Sequence, residues 1–143
     1  MKTVNPYLTF NGNCEEAFNY YKSVFGGEFP YVGRFKDMPA GSPVPEELRE
    51  KIMHISLPIG KETTLMGADA SEVFGPLPSF GDNISLMVNT DSEVEAQRIF
   101  SALSEGGKIT MPLEKTFWNA LFGMCTDQFG IGWMVSFDYS DHA

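Results

Sequence analysis

The chain has 143 residues, of which 43% are hydrophobic and 13% aromatic, so it is long and apolar enough to fold as one domain with a buried core. Ten basic residues against nineteen acidic ones give a net charge of -9, which repels nucleic-acid phosphates and anionic lipid headgroups. The segment MKTVNPYLTF lacks the apolar run of a signal peptide, and no stretch reaches the roughly 20 apolar residues of a membrane span. We therefore expect a cytoplasmic protein that binds neither nucleic acid nor membranes.

The first half of the chain is predicted to run strand, helix, strand, strand, strand. Residues 4–10 (VNPYLTF) indicate a strand, and Asn13 precedes Glu16 at the spacing of a helix N-cap and its N3 partner. Gly26 and Gly27 then stop the helix before the extended run EFPYVGRF. The apolar stripe of this helix is formed by Ala17, Tyr20, Tyr21, Val24 and Phe25. Two further extended runs follow, KIMHISLPI (51–59) and ETTLMGA (62–68).

The second half repeats this order. DNISLMVN (82–89) indicates a strand, Thr90 with Glu93 repeats the capping spacing, and Gly106 with Gly107 ends the helix. The helical stripe consists of Ala96, Ile99, Phe100 and Leu103, and the last two runs are NALFGMCT and GIGWMVSF. The repeat offset is about 80 residues, measured from Phe29 to Ile109. The sequence therefore predicts an α+β chain of two βαβββ modules.

The module boundaries follow from the turn-forming residues. We expect module one at about 1–70, a Gly-, Pro- and Ser-punctuated linker at about 70–81, and module two at about 82–139 of a single domain. Inside module one, the Pro-rich stretch at about 37–50 reads as a loop, and its role stays open.

Paired βαβββ modules of this size resemble the glyoxalase, bleomycin-resistance and extradiol-dioxygenase superfamily, also called vicinal oxygen chelate proteins. YLTFNGNCEEAFNYYKSVFGGE and EGGKITMPLEKTFWNALFGMCTDQFGIGWMV are similar to its PhnB-like family. The resemblance implies a curved mixed sheet around a cleft, with the helices on its convex face, and a homodimer. It leaves open whether the cleft forms within one chain or across the dimer.

The resemblance also provides a test for a metal site, because metal-dependent members of the superfamily place four His, Gln or Glu ligands in the cleft. The matching positions here hold Pro6, Met66, Asn83 and Met134. Proline has no donor atom, and thioether and amide groups bind hard or borderline divalent ions weakly. We therefore expect no metal and no cofactor at those four positions.

Alternation along the strands assigns the cleft side chains. Met53, Ile55, Leu57 and Ile59 are predicted to face the helices, which leaves His54 on the opposite side. The same reasoning assigns Ile84, Leu86 and Val88 to the helix side of the fifth strand, and Ile131, Trp133, Val135 and Phe137 to the helix side of the last. Phe117 and Trp118 belong at the cleft mouth, where they either stack on a ligand or serve core or dimer packing. The predicted ligand-binding set is His54, Ser56, Met66, Asn83, Ser85, Phe117, Trp118, Met134 and Ser136.

His54 is the best candidate for acid–base chemistry, since the only other histidine, His142, lies in the C-terminal tail. A lone strand histidine also fits a purely structural role. Cys14 and Cys125 form no zinc-type cluster and are expected to be buried free thiols. Some PhnB-like proteins carry a demethylubiquinone methyltransferase label, but this sequence has no glycine-rich strand-to-helix turn for a methyl donor.

Two functions remain open from the sequence. The favoured one is a homodimer that binds a small organic molecule in its cleft without metal. The alternative is a metal-dependent glyoxalase- or dioxygenase-like lyase or isomerase that uses an atypical site around His54. A purely structural dimer is a third reading, because packing alone explains many of the aromatic residues.

Overall fold

The computed structural model describes residues 2–39 and 41–140, which form two compact units, Met1–Ser79 and Phe80–Ala143. Each unit holds one α-helix and one four-stranded mixed sheet. The class is therefore α+β, as the sequence predicts. No helix in the described ranges is long and apolar enough to cross a membrane.

Unit one follows the βαβββ order. Its elements are β1 (Tyr7–Phe10), α1 (Cys14–Phe25), β2 (Tyr31–Arg34), β3 (Ile52–Ile59) and β4 (Thr63–Asp69). Its sheet has the strand order β1-β4-β3-β2, in which β1 runs parallel to β4 and the other pairs are antiparallel. The predicted loop before β3 contains two short 3-10 turns, Phe35–Asp37 and Glu46–Leu48.

Helix α1 covers one face of this sheet and leaves the opposite face open. Phe18 of α1 packs so closely on β4 that only glycine fits at position 67. Tyr20 and Phe25 are only half-buried, so the buried face of α1 is narrower than the predicted apolar stripe. The core on the covered face consists of Cys14, Ala17, Phe18, Tyr21, Val24, Ile52, Ile55, Leu57 and Leu65. The burial of Ile52 with Met53 half-exposed departs from the prediction, because a register shift at Gly33 and Arg34 interrupts the alternation at the start of β3.

The N-terminus of α1 is satisfied by a carboxylate from another strand. Asn13 occupies the predicted N-cap position and the helix begins directly after it, but its side chain does not make the expected capping hydrogen bond. Instead Asp69, buried at the end of β4, accepts hydrogen bonds from the backbone N–H groups of Gly12, Cys14 and Ile52 at 2.9–3.0 Å. The side chain of Asp69 thereby joins the end of β4 to the start of α1 and the start of β3.

Unit two repeats the topology of unit one. Its elements are β5 (Leu86–Asn89), α2 (Glu93–Ser104), β6 (Lys108–Lys115), β7 (Ala120–Thr126) and β8 (Gly132–Asp138). Its sheet has the strand order β5-β8-β7-β6, in which β5 runs parallel to β8. All four residues of the predicted α2 stripe are buried. Trp133, Val135 and Phe137 are buried on the same covered face.

Two local predictions for unit two are corrected by the structure. The fifth strand begins at Leu86 rather than residue 82, so Asn83 and Ile84 lie outside it and Ile84 is 77% exposed. The N-cap of α2 is Ser92, whose Oγ accepts from the backbone N–H of Glu95 at 3.0 Å. Thr90 instead donates its hydroxyl to the carbonyl of Ser136, which fastens the end of β5 to β8.

The β7–β8 turn is organised by Asp127, which is buried. Its Oδ1 accepts from the backbone N–H groups of Phe129 and Ile131, and its Oδ2 accepts from the indole Nε1–H of Trp133 at 2.8 Å. The carboxylate therefore closes the turn and fixes the buried tryptophan at the start of β8.

Candidate functional site

The open face of unit one carries a histidine held between two tyrosines. The Tyr7 hydroxyl lies 3.0 Å from Nδ1 of His54, and their ring centroids are 5.5 Å apart. The ring of Tyr31 approaches the imidazole on a second side, with centroids 5.7 Å apart. Tyr7 and Tyr31 are 48% and 50% exposed, so the cluster combines fixed geometry with access from solvent.

Strand register explains why these residues meet. Tyr7 on β1 pairs with Met66 on β4, Met66 pairs with Ser56 on β3, and Ser56 pairs with Tyr31 on β2. Residues paired across a sheet lie on the same face. The predicted residues His54, Ser56 and Met66 therefore share the open face of unit one with the two tyrosines.

Gly33 positions Tyr31. It pairs with His54 across β2 and β3, and a Cβ built at Gly33 would lie 2.6 Å from the Tyr31 hydroxyl oxygen and 2.8 Å from its Cε1. The phenol ring therefore lies over the glycine, in space that any larger side chain would occupy. This absence of a side chain lets Tyr31 lie against the imidazole.

The electrostatics of the cluster keep the phenol of Tyr7 neutral. Partial burial, with a smaller contribution from the thiol of Cys14, raises the pKa of Tyr7 above its ordinary value. Arg34, the cation of β2, is engaged elsewhere: its guanidinium binds both carboxylate oxygens of Glu15, at 2.6 and 3.1 Å, and the carbonyl of Glu50. Tyr7 therefore presents a neutral hydroxyl to His54.

The open face of unit two contains a cavity of about 270 Å³. Trp118 enters it from the β6–β7 turn, where Asn119 adopts a positive φ of 65° and Thr116 closes the turn through hydrogen bonds to Ala120. The indole ring also meets Phe122 at a centroid distance of 5.9 Å. The lining residues are Met87, Asn89, Thr90, Trp118, Ala120, Ser136 and Asp138.

The other candidates of unit two separate from one another. Met134 pairs with Met87 and Met124, so it lies on the open face with Ser136. Ser85 lines a second cavity of about 260 Å³, together with Thr110, Met124, Thr126 and glycines 81, 130 and 132. Phe117 is 97% exposed, so its side chain is not part of the core of this chain. Asn83 is exposed ahead of β5.

The residues at the four superfamily metal positions do not fit a metal ion. In unit one Pro6 lies outside β1, and the side chain of β1 that stands beside Met66 is Tyr7. Across residues 2–39 and 41–140, no group of three or more His, Cys, Asp or Glu side chains is arranged to hold a metal. The His54 ring contacts the rings of Tyr7 and Tyr31. His142 lies outside the described residues.

The two cysteines are free and buried, as expected. Burial, with the carboxylates of Asp69 and Glu15, raises the pKa of Cys14 far above its ordinary value. Burial and the carboxylate of Asp127 raise the pKa of Cys125 to about 11. Both thiols are therefore protonated near neutral pH, which makes them poor nucleophiles.

Sequence reasoning missed Tyr7, Tyr31 and Gly33. The alternation in YLTF, with Phe10 buried and Tyr7 exposed, was the available signal for Tyr7. Assigning the ligand position to Pro6 by resemblance concealed it, because the observed register places Tyr7, next to Pro6, on the open face beside Met66. Nothing in the sequence pairs Tyr31 and Gly33 with His54, since that pairing depends on the β2–β3 register.

Comparison with known proteins places the chain in a family. A model of the 3-demethylubiquinone-9 3-methyltransferase family matches residues 2–136. Protein YjdN of Escherichia coli strain K12 is 30% identical over 144 residues, which cover 93% of each chain. The solved structure of protein PA1353 from Pseudomonas aeruginosa is 42% identical, covers 96% of this chain and 98% of its own, and superposes with a TM-score of 0.84.

More distant structures show the same fold. A PhnB protein from Bacillus cereus is 24% identical with a TM-score of 0.75, covering 95% of this chain and 99% of its own. A glyoxalase-related enzyme from Fulvimarina pelagi is 17% identical with a TM-score of 0.64, covering 97% and 90%. The chain therefore belongs to the PhnB-like 3-demethylubiquinone-9 3-methyltransferase family and has a glyoxalase-like fold.

Proposed function

We propose that this protein binds a small organic molecule on the open face of unit one. The observation that supports the proposal is the cluster of Tyr7, His54 and Tyr31, in which two half-exposed aromatic rings flank an imidazole. Exposed tyrosines cost free energy in contact with water unless another apolar surface covers them. A ligand seated on this face would cover the rings and hydrogen bond to their polar tips.

The composition of the face favours binding over bond breaking. Ser56 and Met66 extend the cluster along β3 and β4, and methionine adapts to ligands of different shape. The residues around His54 do not provide the carboxylates or histidines that a catalytic metal would require. Methyl transfer, which the family description names, is not part of the proposal, because the sequence has no glycine-rich strand-to-helix turn.

The proposal includes a cytoplasmic homodimer as the setting of the site. Native mass spectrometry of the full chain, purified without added metal or chelator, tests the dimer and any retained ligand in one spectrum. A dimer with an organic adduct supports the proposal. One metal ion per chain would contradict it and restore the metal-dependent lyase or isomerase as the better explanation.

Binding at this face is tested by NMR with four monocyclic probes: acetophenone, benzoate, benzylamine and toluene. We expect at least one probe to shift the ring signals of His54, and Tyr31→Ala to weaken that probe by about ten-fold through lost aromatic contact. Phe80→Ala is the matched control, because Phe80 is 51% exposed and lies in unit two. Equal weakening by both variants would contradict the proposed site.

A further inference from the structure

We infer that Tyr7 is a positioning residue that holds neutral His54 in its Nε2–H tautomer. The site then recognises its ligand through an acceptor oxygen, either a carbonyl or a carboxylate, carried beside a flat apolar group. This inference rests on the proposed function and names the ligand class of the same site. It also assigns His54 the role of hydrogen-bond donor rather than general base.

The direction of the Tyr7–His54 hydrogen bond decides which nitrogen of His54 carries the proton. At 3.0 Å, either the hydroxyl of Tyr7 donates to Nδ1 of His54, or Nδ1–H donates to the phenol oxygen. An imidazole nitrogen is a stronger base than a phenol oxygen, and a phenol is the better donor of the two. The favoured arrangement therefore has Tyr7 donating and Nδ1 accepting.

The state of Tyr7 agrees with that direction. Burial raises the pKa of Tyr7, so its hydroxyl keeps the proton that it donates. The tilted contact between the two rings, with an interplanar angle of 36°, holds the hydroxyl beside Nδ1. Tyr31 packs on another side of the imidazole and restricts rotation of the ring.

The remaining ring nitrogen then faces a ligand as a donor. If Nδ1 accepts from Tyr7, the single proton of a neutral imidazole lies on Nε2. Within the described residues, neither Nε2 of His54 nor the hydroxyl of Tyr31 has a hydrogen-bond partner, and both side chains are partly exposed. These two groups can donate to one acceptor oxygen, while the rings of Tyr7 and Tyr31 provide apolar surface for the rest of the ligand.

A proton acceptor at Nε2 would need the opposite tautomer. In that tautomer Nδ1–H donates to the weakly accepting phenol oxygen, and the hydroxyl proton of Tyr7 loses its partner. The geometry thus links the choice of tautomer to the choice between a binding role and a base-catalysis role for His54.

The tautomer is measured directly by ¹⁵N NMR of the full chain at a pH where the His54 ring is neutral. The chain has two histidines, so His54→Asn assigns the signals. We expect Nδ1 to resonate as an unprotonated nitrogen and Nε2 as a protonated one. Tyr7→Phe should move the Nδ1 signal and populate the second tautomer, whereas Tyr139→Phe, which removes a hydroxyl of unit two, should not. A protonated Nδ1 in the wild-type protein would overturn the inference.

The ligand class is measured with the same four probes. Acetophenone and benzoate carry an acceptor oxygen, whereas benzylamine and toluene do not. We expect one or both acceptor probes to shift the Nε2 signal and bind about five-fold more tightly than toluene, the effect of one neutral hydrogen bond. Acetophenone alone would identify a neutral carbonyl, and benzoate alone a carboxylate.

Tyr7→Phe separates positioning from simple contact. We expect it to lower the affinity of the acceptor probe by about five-fold and to leave the affinity of toluene unchanged. Equal binding of all four probes would overturn the ligand class while leaving the proposed function standing. Binding of none of them would overturn both the ligand class and the proposed site, whatever the tautomer.

Discussion

The two units share their topology but differ in the chemistry of their open faces. Each sheet places its first and last strands parallel and at neighbouring positions, and each uses a glycine, Gly67 or Gly123, beneath an aromatic side chain of its helix. The open faces of the two sheets differ. Unit one presents a histidine between two tyrosines, whereas unit two presents a cavity entered by an indole. The repeated part is the packing between helix and sheet, and the open face has diverged.

The units also differ in how they use a buried carboxylate. Asp69 accepts three backbone N–H groups from segments 17 to 57 residues away, whereas Asp127 accepts three N–H groups within six residues. The first joins separate elements of unit one, and the second closes a single turn. A buried carboxylate therefore joins segments that are distant in the sequence in unit one, and neighbouring residues of one turn in unit two.

The largest expected effect is that of Asp69→Ala. It leaves three N–H groups without their acceptor, so we expect a loss of roughly 3–5 kcal/mol in the free energy of unfolding. Asp127→Ala should cost less, roughly 2–4 kcal/mol, because a turn can relax towards water more easily than joined elements. Urea denaturation followed by circular dichroism measures both values.

The asparagine variants serve as controls for these two substitutions. Asp69→Asn and Asp127→Asn keep one acceptor oxygen, so each should fall between the wild type and its alanine variant. A larger loss for Asp127→Ala than for Asp69→Ala would show that the long-range bonds of Asp69 are not the stronger constraint.

The second-largest loss of stability is expected where the helix of each unit packs on a glycine of its sheet. A Cβ at Gly67 would lie 2.5 Å from Cε1 of Phe18, and one at Gly123 would lie 2.8 Å from Cε1 of Phe100. Both sites also have backbone atoms within 2.9 Å, which cannot move aside easily. We expect Gly67→Ala and Gly123→Ala each to lower the free energy of unfolding by about 1–3 kcal/mol.

Gly132→Ala is the control for the glycine pair. Its nearest neighbour would be the side-chain Oγ of Ser85 at 3.2 Å, and the backbone lies no closer than 3.4 Å, so the change should cost less than about 1 kcal/mol. Thermal unfolding of the three variants ranks them. If one of the first two were as mild as Gly132→Ala, the helix–sheet packing of the two units would not be equivalent.

The fold was largely predictable because it depends on local periodicity. The stripe of α2 and, from Trp133 onward, the alternation of β8 name residues that are buried in the structure, whereas Ile131 lies before β8 and is half-buried. The prediction of a capping hydrogen bond at Asn13 failed because its competitor, Asp69, is 56 residues away in the sequence and comes close only when β4 has formed. Local spacing cannot show that a distant carboxylate is the better acceptor.

The candidate site was predictable only in part, for a related reason. Alternation places His54 and Ser56 opposite Ile55 and Leu57, and this follows from one strand alone. Tyr31 reaches His54 through the register between two strands and through the missing side chain of Gly33. A register shift in β2 cannot be read from the sequence of either strand.

A smaller effect on stability, but a clear one on the site, is expected for Gly33→Ala. The new Cβ meets the far end of the Tyr31 side chain, which can rotate away, so the free energy of unfolding should change by less than about 1 kcal/mol. Tyr31 would leave the imidazole, and the ring signals of His54 would shift. Probe binding should fall to the level of Tyr31→Ala. Unchanged His54 signals would show that Tyr31 does not depend on Gly33.

The smallest effect distinguishes the two buried thiols through pH. The folded pKa of Cys125 is raised from 9.0 to about 11, and that of Cys14 is raised further by deeper burial and two carboxylates. Between the unfolded and the folded pKa, the folded state keeps the thiol proton while the unfolded chain loses it. The contribution of each thiol to the free energy of unfolding is therefore fully present below about pH 9. It is lost as the pH rises towards the folded pKa.

Urea titrations from neutral pH to about pH 12 measure this loss, and the two thiols separate only above about pH 11, where Cys125 also loses its proton in the folded state. Cys14→Ala should flatten the alkaline decline more than Cys125→Ala, since the folded pKa of Cys14 lies further from its unfolded value. Both variants also create a small cavity, but a cavity lowers stability equally at every pH, so only the slope reports the thiol. Equal slopes would mean that α1 of unit one excludes water from its thiol no better than β7 of unit two.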